Sequence, residues 1–261
     1  MPEIDTPKEL AGQTAVVTGS SRGIGRAIAL ELAAAGAAVL IHARASRDDA
    51  DAVAGEISAG GGFSKVALVD LAKSEEHELL VEEAWRWRGG VDIWINNAGA
   101  DILTGQPTTW SFERKLEVLW QVDVSATIRL TRLIGARMKA AGRGVILNLG
   151  WDGAEKGMAG DSGQLFAAAK GAVAAFSRSL ACSLAPEVRV NCLAPGWIKT
   201  AWGRQASESW QQRAAGASLL GRWGTPEDVA RVARFLVSPA AGFLTGQTIN
   251  VNGGCSASQS V

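Results

Sequence analysis

Seven short apolar runs, separated by longer amphipathic ones, limit what this chain can fold into. The runs are TAVVT (14–18), AAVLIH (37–42), KVALVD (65–70), VDIWIN (91–96), GVILNL (144–149), VRVNCL (188–193) and QTINVN (247–252). Most are continuously apolar rather than alternating, the pattern of strands covered on both faces. Between them lie helical stretches such as IGRAIALELAAAG (24–36), EEHELLVEEAWRW (75–87) and GQLFAAAKGAVAAFSRSLACSLA (163–185). Strand, helix, strand in repetition requires parallel pairing through right-handed crossovers. The expectation is α/β: a single doubly wound domain, a mostly parallel seven-stranded sheet, and helices on both faces.

Composition narrows the function. Lys+Arg 26 and Asp+Glu 26 cancel to a formal net charge of +0, and no basic run stands out, which argues against a nucleic-acid partner. Met1 to Leu10 is acidic and lacks the apolar stretch of a secretory signal. The chargeless stretch after Arg234 is broken by Ser, Pro, Gly, Asn and Gln, so no membrane span is expected there. Cys182, Cys192 and Cys255 have no metal-ligand spacing; a reducing, cytoplasmic setting and no metal are the expectation.

The first run passes through Thr18-Gly19-Ser20-Ser21-Arg22-Gly23-Ile24-Gly25 straight into a helix. Glycines there let the backbone turn tightly and approach a pyrophosphate at the positive end of the helix dipole. A glycine triplet alone is weak evidence, but between the first strand and first helix of an α/β chain it is strong. A merely structural turn is the alternative.

The triplet is spaced GxxxGxG. With Asn96-Asn97-Ala98-Gly99 after the fourth run, Pro195-Gly196 after the sixth, and LTGQTINVNGG (244–254), it resembles the short-chain dehydrogenase/reductase family, in particular its β-ketoacyl-carrier-protein-reductase-like branch. The resemblance runs from about Gly12 to Gly254. It implies one Rossmann-type domain over 1–261, with residues 255–261 as a flexible tail. It also implies a bound nicotinamide dinucleotide. Gly19, Ser21, Arg22, Gly23, Ile24 and Gly25 would hold its phosphates and ribose. Asp70 and Leu71 would lie against adenine, and Asn97, Ala98 and Gly99 beside the adenosine ribose. Pro195, Gly196, Ile198 and Thr200 would line the nicotinamide side, and Lys170 would hold the nicotinamide ribose.

The second run ends AVLIHARAS (38–46), with no Asp or Glu at its tip. An acid there would bind a ribose 2′-hydroxyl and repel a 2′-phosphate. Arg44 stands there instead, and Arg22 can reach the same region; two guanidiniums suit a phosphate. NADP(H) is therefore expected over NAD(H), with a solvated surface role as the alternative for Arg44.

The catalytic positions depart from the family. Carbonyl-reducing members resemble one another in Ser, Tyr and Lys, with an Asn upstream. The phenol protonates the carbonyl oxygen, and the lysine four residues on lowers its pKa. Here the matching place reads Phe166-Ala-Ala-Ala-Lys170, and the whole chain has Tyr 0. The serine place falls in Gly150-Trp151-Asp152, and Asp123 stands where the Asn is expected. Two repairs are open: Asp152, protonated, as donor, or Lys170 feeding a proton through water oriented by Asp123. Either carboxylate can instead be structural, as can Asp161 and Ser162 nearby.

Trp151, Phe166, Trp197 and Trp202 could wall an apolar pocket, with Trp210 close by; core filling is the plain alternative for each. The leading expectation is an NADP(H)-dependent oxidoreductase acting on a small carbonyl or alcohol with an altered proton donor. The alternatives are a non-catalytic NADP(H)-binding sensor or scaffold, and a structural subunit of a mixed oligomer. The family resemblance further implies a homo-oligomer, a tetramer built through 110–135, 163–185 and the C-terminal strand.

Overall fold

All seven apolar runs form strands: β1 (Thr14–Val17), β2 (Ala38–Ala43), β3 (Ser64–Leu68), β4 (Ile93–Asn96), β5 (Gly144–Leu149), β6 (Val188–Pro195) and β7 (Thr248–Val251). These elements come from a computed structural model that describes residues 8–201, 203 and 206–254; Trp202 and the expected tail at 255–261 lie outside them. The strands make one sheet in the order β3-β2-β1-β4-β5-β6-β7. Every neighbouring pair is parallel, so the sheet is wholly rather than mostly parallel. Its order reverses between β1 and β4, which opens a crevice outside the carboxyl ends of those strands.

The connecting helices are α1 (Gly23–Ala34), α2 (Arg47–Ala59), α3 (Glu76–Arg88), α4 (Phe112–Leu119), α5 (Ala126–Ala140), α6 (Gly153–Lys156), α7 (Asp161–Leu184), α8 (Glu208–Ala217) and α9 (Pro226–Val237). Successive strand residues point to opposite faces. Val17, Val39, Ile41, Ile93, Ile95 and Leu147 pack on the side of α1, α2 and α9. Val16, Leu40, Trp94, Ile146 and Val190 pack on the side of α3, α5 and α7. With both faces covered, a strand has no reason to alternate apolar with polar, which is why the runs read as continuous.

A buried polar chain joins this second layer to the sheet. Asn96 and Asn148 are register partners on β4 and β5. Asn96 accepts from Trp94 Nε1 (2.8 Å) and donates to Asn148 Oδ1 (2.8 Å) and to Thr131 Oγ1 (2.7 Å) on α5. Asn148 in turn donates to Ser177 Oγ (2.9 Å) on α7. A buried amide is costly unless bonded, so these contacts fix where α7 lies against β5. By length and composition α7 could cross a membrane. It packs instead along β6 and β5, with Val173, Ala174, Ser177, Ala181 and Leu184 buried.

Candidate active site

The glycine turn follows β1 at the crevice. Gly19 has φ +64°, and a Cβ there would lie 2.8 Å from the Cα of Ala98. Only glycine fits. Asn97 Nδ2 donates to the carbonyls of Thr18 (3.0 Å) and Gly19 (3.1 Å), while Thr18 Oγ1 accepts from the N–H groups of Asn97 and Ala98 (both 3.0 Å). The Asn97-Ala98-Gly99 segment thus braces the turn from the β4 side. A Cβ on Gly25 would sit 2.3 Å from Asn97 Nδ2, so close packing alone demands that glycine.

Helix α1 opens with no side-chain cap and no acid in its first turn. Its free N–H groups and dipole favour an anion. Ser21 and Ile24 are half-buried in this turn, and Gly23 is exposed. From the other side, a Cβ on Gly23 would come within 3.9 Å of Thr200 Cγ2. The Pro195–Thr200 segment therefore faces the glycine turn across the crevice, with Pro195 and Ile198 buried and Gly196 pressed against Asn252. These residues fit a dinucleotide: glycines clear the backbone, and an uncapped helix end meets the phosphates.

Arg44 is exposed just past β2, while the Arg22 Nε donates to Asp49 Oδ2 (2.8 Å). Asp70 accepts from the N–H of Ala72 (3.1 Å), and its own N–H donates to Glu76 Oε2 (2.9 Å); Leu71 is buried beside it. His42, which carried no signal in the sequence, lies beneath this region. Its Nδ1 accepts from the Gly19 N–H (3.0 Å) and its Nε2 faces the Val69 carbonyl (3.0 Å).

At the far side of the crevice, Lys170 Nζ pairs with Asp123 Oδ2 at 2.9 Å, their side chains only 13% and 2% exposed. Asp123 Oδ1 accepts from the Ala100 N–H (2.7 Å). The aspartate sits in a π-helical stretch, Trp120–Ser125, between α4 and α5. Such a stretch inserts a residue into the helix and often marks a functional position. Phe166, four residues before Lys170, meets Trp151 edge to face with centroids 6.5 Å apart. It also packs on a small cluster of Ile102, Leu119 and Leu165.

Asp152, after β5, accepts from Asn252 Nδ2 (2.9 Å) and lies 3.7 Å from Lys156 Nζ. Asp161 starts α7 on the surface, with Ser162 half-buried behind it. Under this floor, burial pushes the Cys192 thiol up to about 11, against the opposing pull of the Lys170 charge. Trp197 packs with Trp210 (5.4 Å) and with Trp223 (6.1 Å), whose Nε1 donates to the Gln211 carbonyl. Trp223, Asn252 and Lys156 are neighbours that sequence spacing gave no reason to single out. Among the described residues no cluster of His, Cys, Asp or Glu is arranged for a metal.

A family model described as Enoyl-(Acyl carrier protein) reductase matches residues 19–256. A variant of a short-chain dehydrogenase/reductase from Serratia marcescens superposes with TM-score 0.85 at 31% identity, covering 94% of this chain and 98% of that one. The chain belongs to the short-chain dehydrogenase/reductase family. Other members lie as near. The 3-oxoacyl-(acyl-carrier-protein) reductase FabG of Aquifex aeolicus is 37% identical over 94% of this chain and 98% of its own. The structure of a gluconate 5-dehydrogenase from Burkholderia cenocepacia in complex with NADP and tartrate is 29% identical with TM-score 0.85, covering 95% of this chain and 96% of that one. As a short-chain dehydrogenase/reductase, the chain is an oxidoreductase by family.

Proposed function

We propose that this chain is an NADP(H)-dependent oxidoreductase that acts on a small carbonyl or alcohol without a tyrosine proton donor. The observation that carries the reading is Lys170, retained, nearly buried and held by Asp123 at 2.9 Å beside the cofactor crevice. When bound, the nicotinamide supplies or accepts the hydride. The glycine turn and the N-terminus of α1 bind its pyrophosphate, and Lys170 binds the nicotinamide ribose. Arg44, at the acid-free tip of β2, takes the 2′-phosphate with Arg22; the NADP held by the Burkholderia cenocepacia gluconate 5-dehydrogenase structure agrees with this cofactor.

The proton is the harder part. Asp152 receives Asn252 and faces Lys156, contacts that suit an acceptor rather than a donor. The ammonium of Lys170, oriented by Asp123, is the better source, passing a proton through water to the substrate oxygen. Trp151, Phe166 and Trp197 wall the pocket, and Phe166 orients the substrate by contact alone. The chain works as one unit over about 12–254, in the cytoplasm, as a homotetramer. Trp120, exposed within the 110–135 segment expected at a subunit contact, and Phe243, exposed shortly before β7, support the assembly.

Replacing Lys170 with Ala should lower turnover about 10²-fold or more, with Asp152→Asn affecting it much less. Equal losses would return the donor role to Asp152; no loss in either would remove both. A second reading, an NADP(H) sensor without chemistry, is favoured by one observation: the chain has Tyr 0. It predicts NADPH binding with no turnover.

A further inference from the structure

Between the glycine turn and the end of β3 lies one buried, titratable side chain that the mechanism above does not use. His42 on β2 is 2% exposed and makes four hydrogen bonds to the segments on either side. Its backbone carbonyl accepts from the Ser20 N–H (2.9 Å), and its N–H donates to Ser20 Oγ (3.0 Å). Its ring Nδ1 accepts from the Gly19 N–H (3.0 Å), and its ring Nε2 reaches the Val69 carbonyl (3.0 Å). A carbonyl cannot donate, so Nε2 carries the proton, and Nδ1 must be bare to receive Gly19. Burial favours this neutral ring and holds its pKa down at about 4.

We propose that His42 is a positioning residue for the cofactor: its neutral Nε2–H ring clasps Gly19 of the phosphate turn to Val69, next to Asp70 of the adenine wall. The inference rests on the dinucleotide reading of the crevice. Gly19 has φ +64° and no side chain of its own to anchor it; Asn97 holds its carbonyl from the β4 side, and His42 holds its N–H from the β2 side. The imidazole spans from this N–H to the neighbouring strand end. It thereby sets the distance between the part of the crevice that takes phosphate and the part that takes adenine. No other ordinary side chain has an acceptor and a donor at this separation on a rigid ring.

Two near-isosteric variants separate the bonds. In His42→Asn the amide oxygen can replace Nδ1 and keep Gly19, while losing Val69. In His42→Gln the amide nitrogen can replace Nε2 and keep Val69, while losing Gly19. NADPH and NADH dissociation constants are measured by fluorescence titration, alongside melting temperatures. Loss of one buried hydrogen bond corresponds to about a 3- to 10-fold effect. The proposal expects His42→Gln to weaken NADPH by about that factor and His42→Asn to stay within about twofold of the parent chain. If both melt lower yet bind NADPH like the parent chain, His42 is only a core residue and the proposal fails. Nitrogen-15 NMR of the parent chain decides independently of variant folding: the proposal requires Nδ1 unprotonated and Nε2 protonated at pH 7, and the reverse tautomer overturns it. If the parent chain itself binds neither nucleotide, the dinucleotide reading falls and this inference with it.

Discussion

Lys170 and Phe166 sit one helical turn apart on α7, so both reach the same side of the crevice. The ion pair to Asp123 occupies one of the three ammonium donors of Lys170 and leaves two for other partners. Phe166 has the ring of a tyrosine without its oxygen, and Trp151 already packs against its edge. Restoring the hydroxyl is thus a small steric change beside an existing lysine. Phe166→Tyr should raise carbonyl reduction about 10²-fold or more, the contribution of a positioned acid, read as kcat/KM on a responsive substrate. No gain would show that the surroundings of residue 166 do not place a phenol for proton transfer. At this scale the sequence was readable wherever spacing does the work: Phe166 four before Lys170, and the glycines of the turn. It was silent on His42, Trp223 and Asn252, because their partners lie far along the chain (Asn252 bonds Asp152 100 positions away).

The elements were the most legible part. The apolar runs became β1 to β7 with ends shifted by a residue or two, since burial on both faces of the central strands leaves a signal in nearly every residue there. The π-helical stretch at Trp120–Ser125 left no such mark; it is set by how α4 and α5 meet, not by local preference. Strand β2 carries a pH dependence through His42. Its folded-state pKa of about 4 lies below the ordinary histidine value of about 6.5, so the unfolded chain takes up the proton first as pH falls. Stability from this group is fully present above about 6.5 and is lost as pH drops toward about 4, by on the order of 3 kcal/mol. Denaturant melts at pH 7 and pH 4.5 measure it. The parent chain should lose more stability between them than His42→Asn does; equal losses would mean the ring is not held neutral by the fold.

For the whole molecule, the sheet order places the dinucleotide crevice at the β1/β4 reversal, and both halves of the site converge there. That convergence could be anticipated from alternating strands and helices, whereas the assembly could not, because the pattern of one chain does not reveal what covers its surface. Phe243 is fully exposed, and Leu219 and Leu220 are 70% and 68% exposed, apolar area that subunit contacts would cover. Light scattering should give about four times the 27.2 kDa chain mass, and a monomer would contradict the tetramer.

The proposed function requires hydride chemistry without a tyrosine proton donor. Its most direct test is NADPH consumption by the purified protein across ketones, aldehydes, quinones and enones, with NADPH binding verified in the same samples. Turnover is expected on at least one class, faster with NADPH than with NADH and lost in Lys170→Ala. Bound NADPH with no consumption on any class would contradict it and leave the crevice as a sensor.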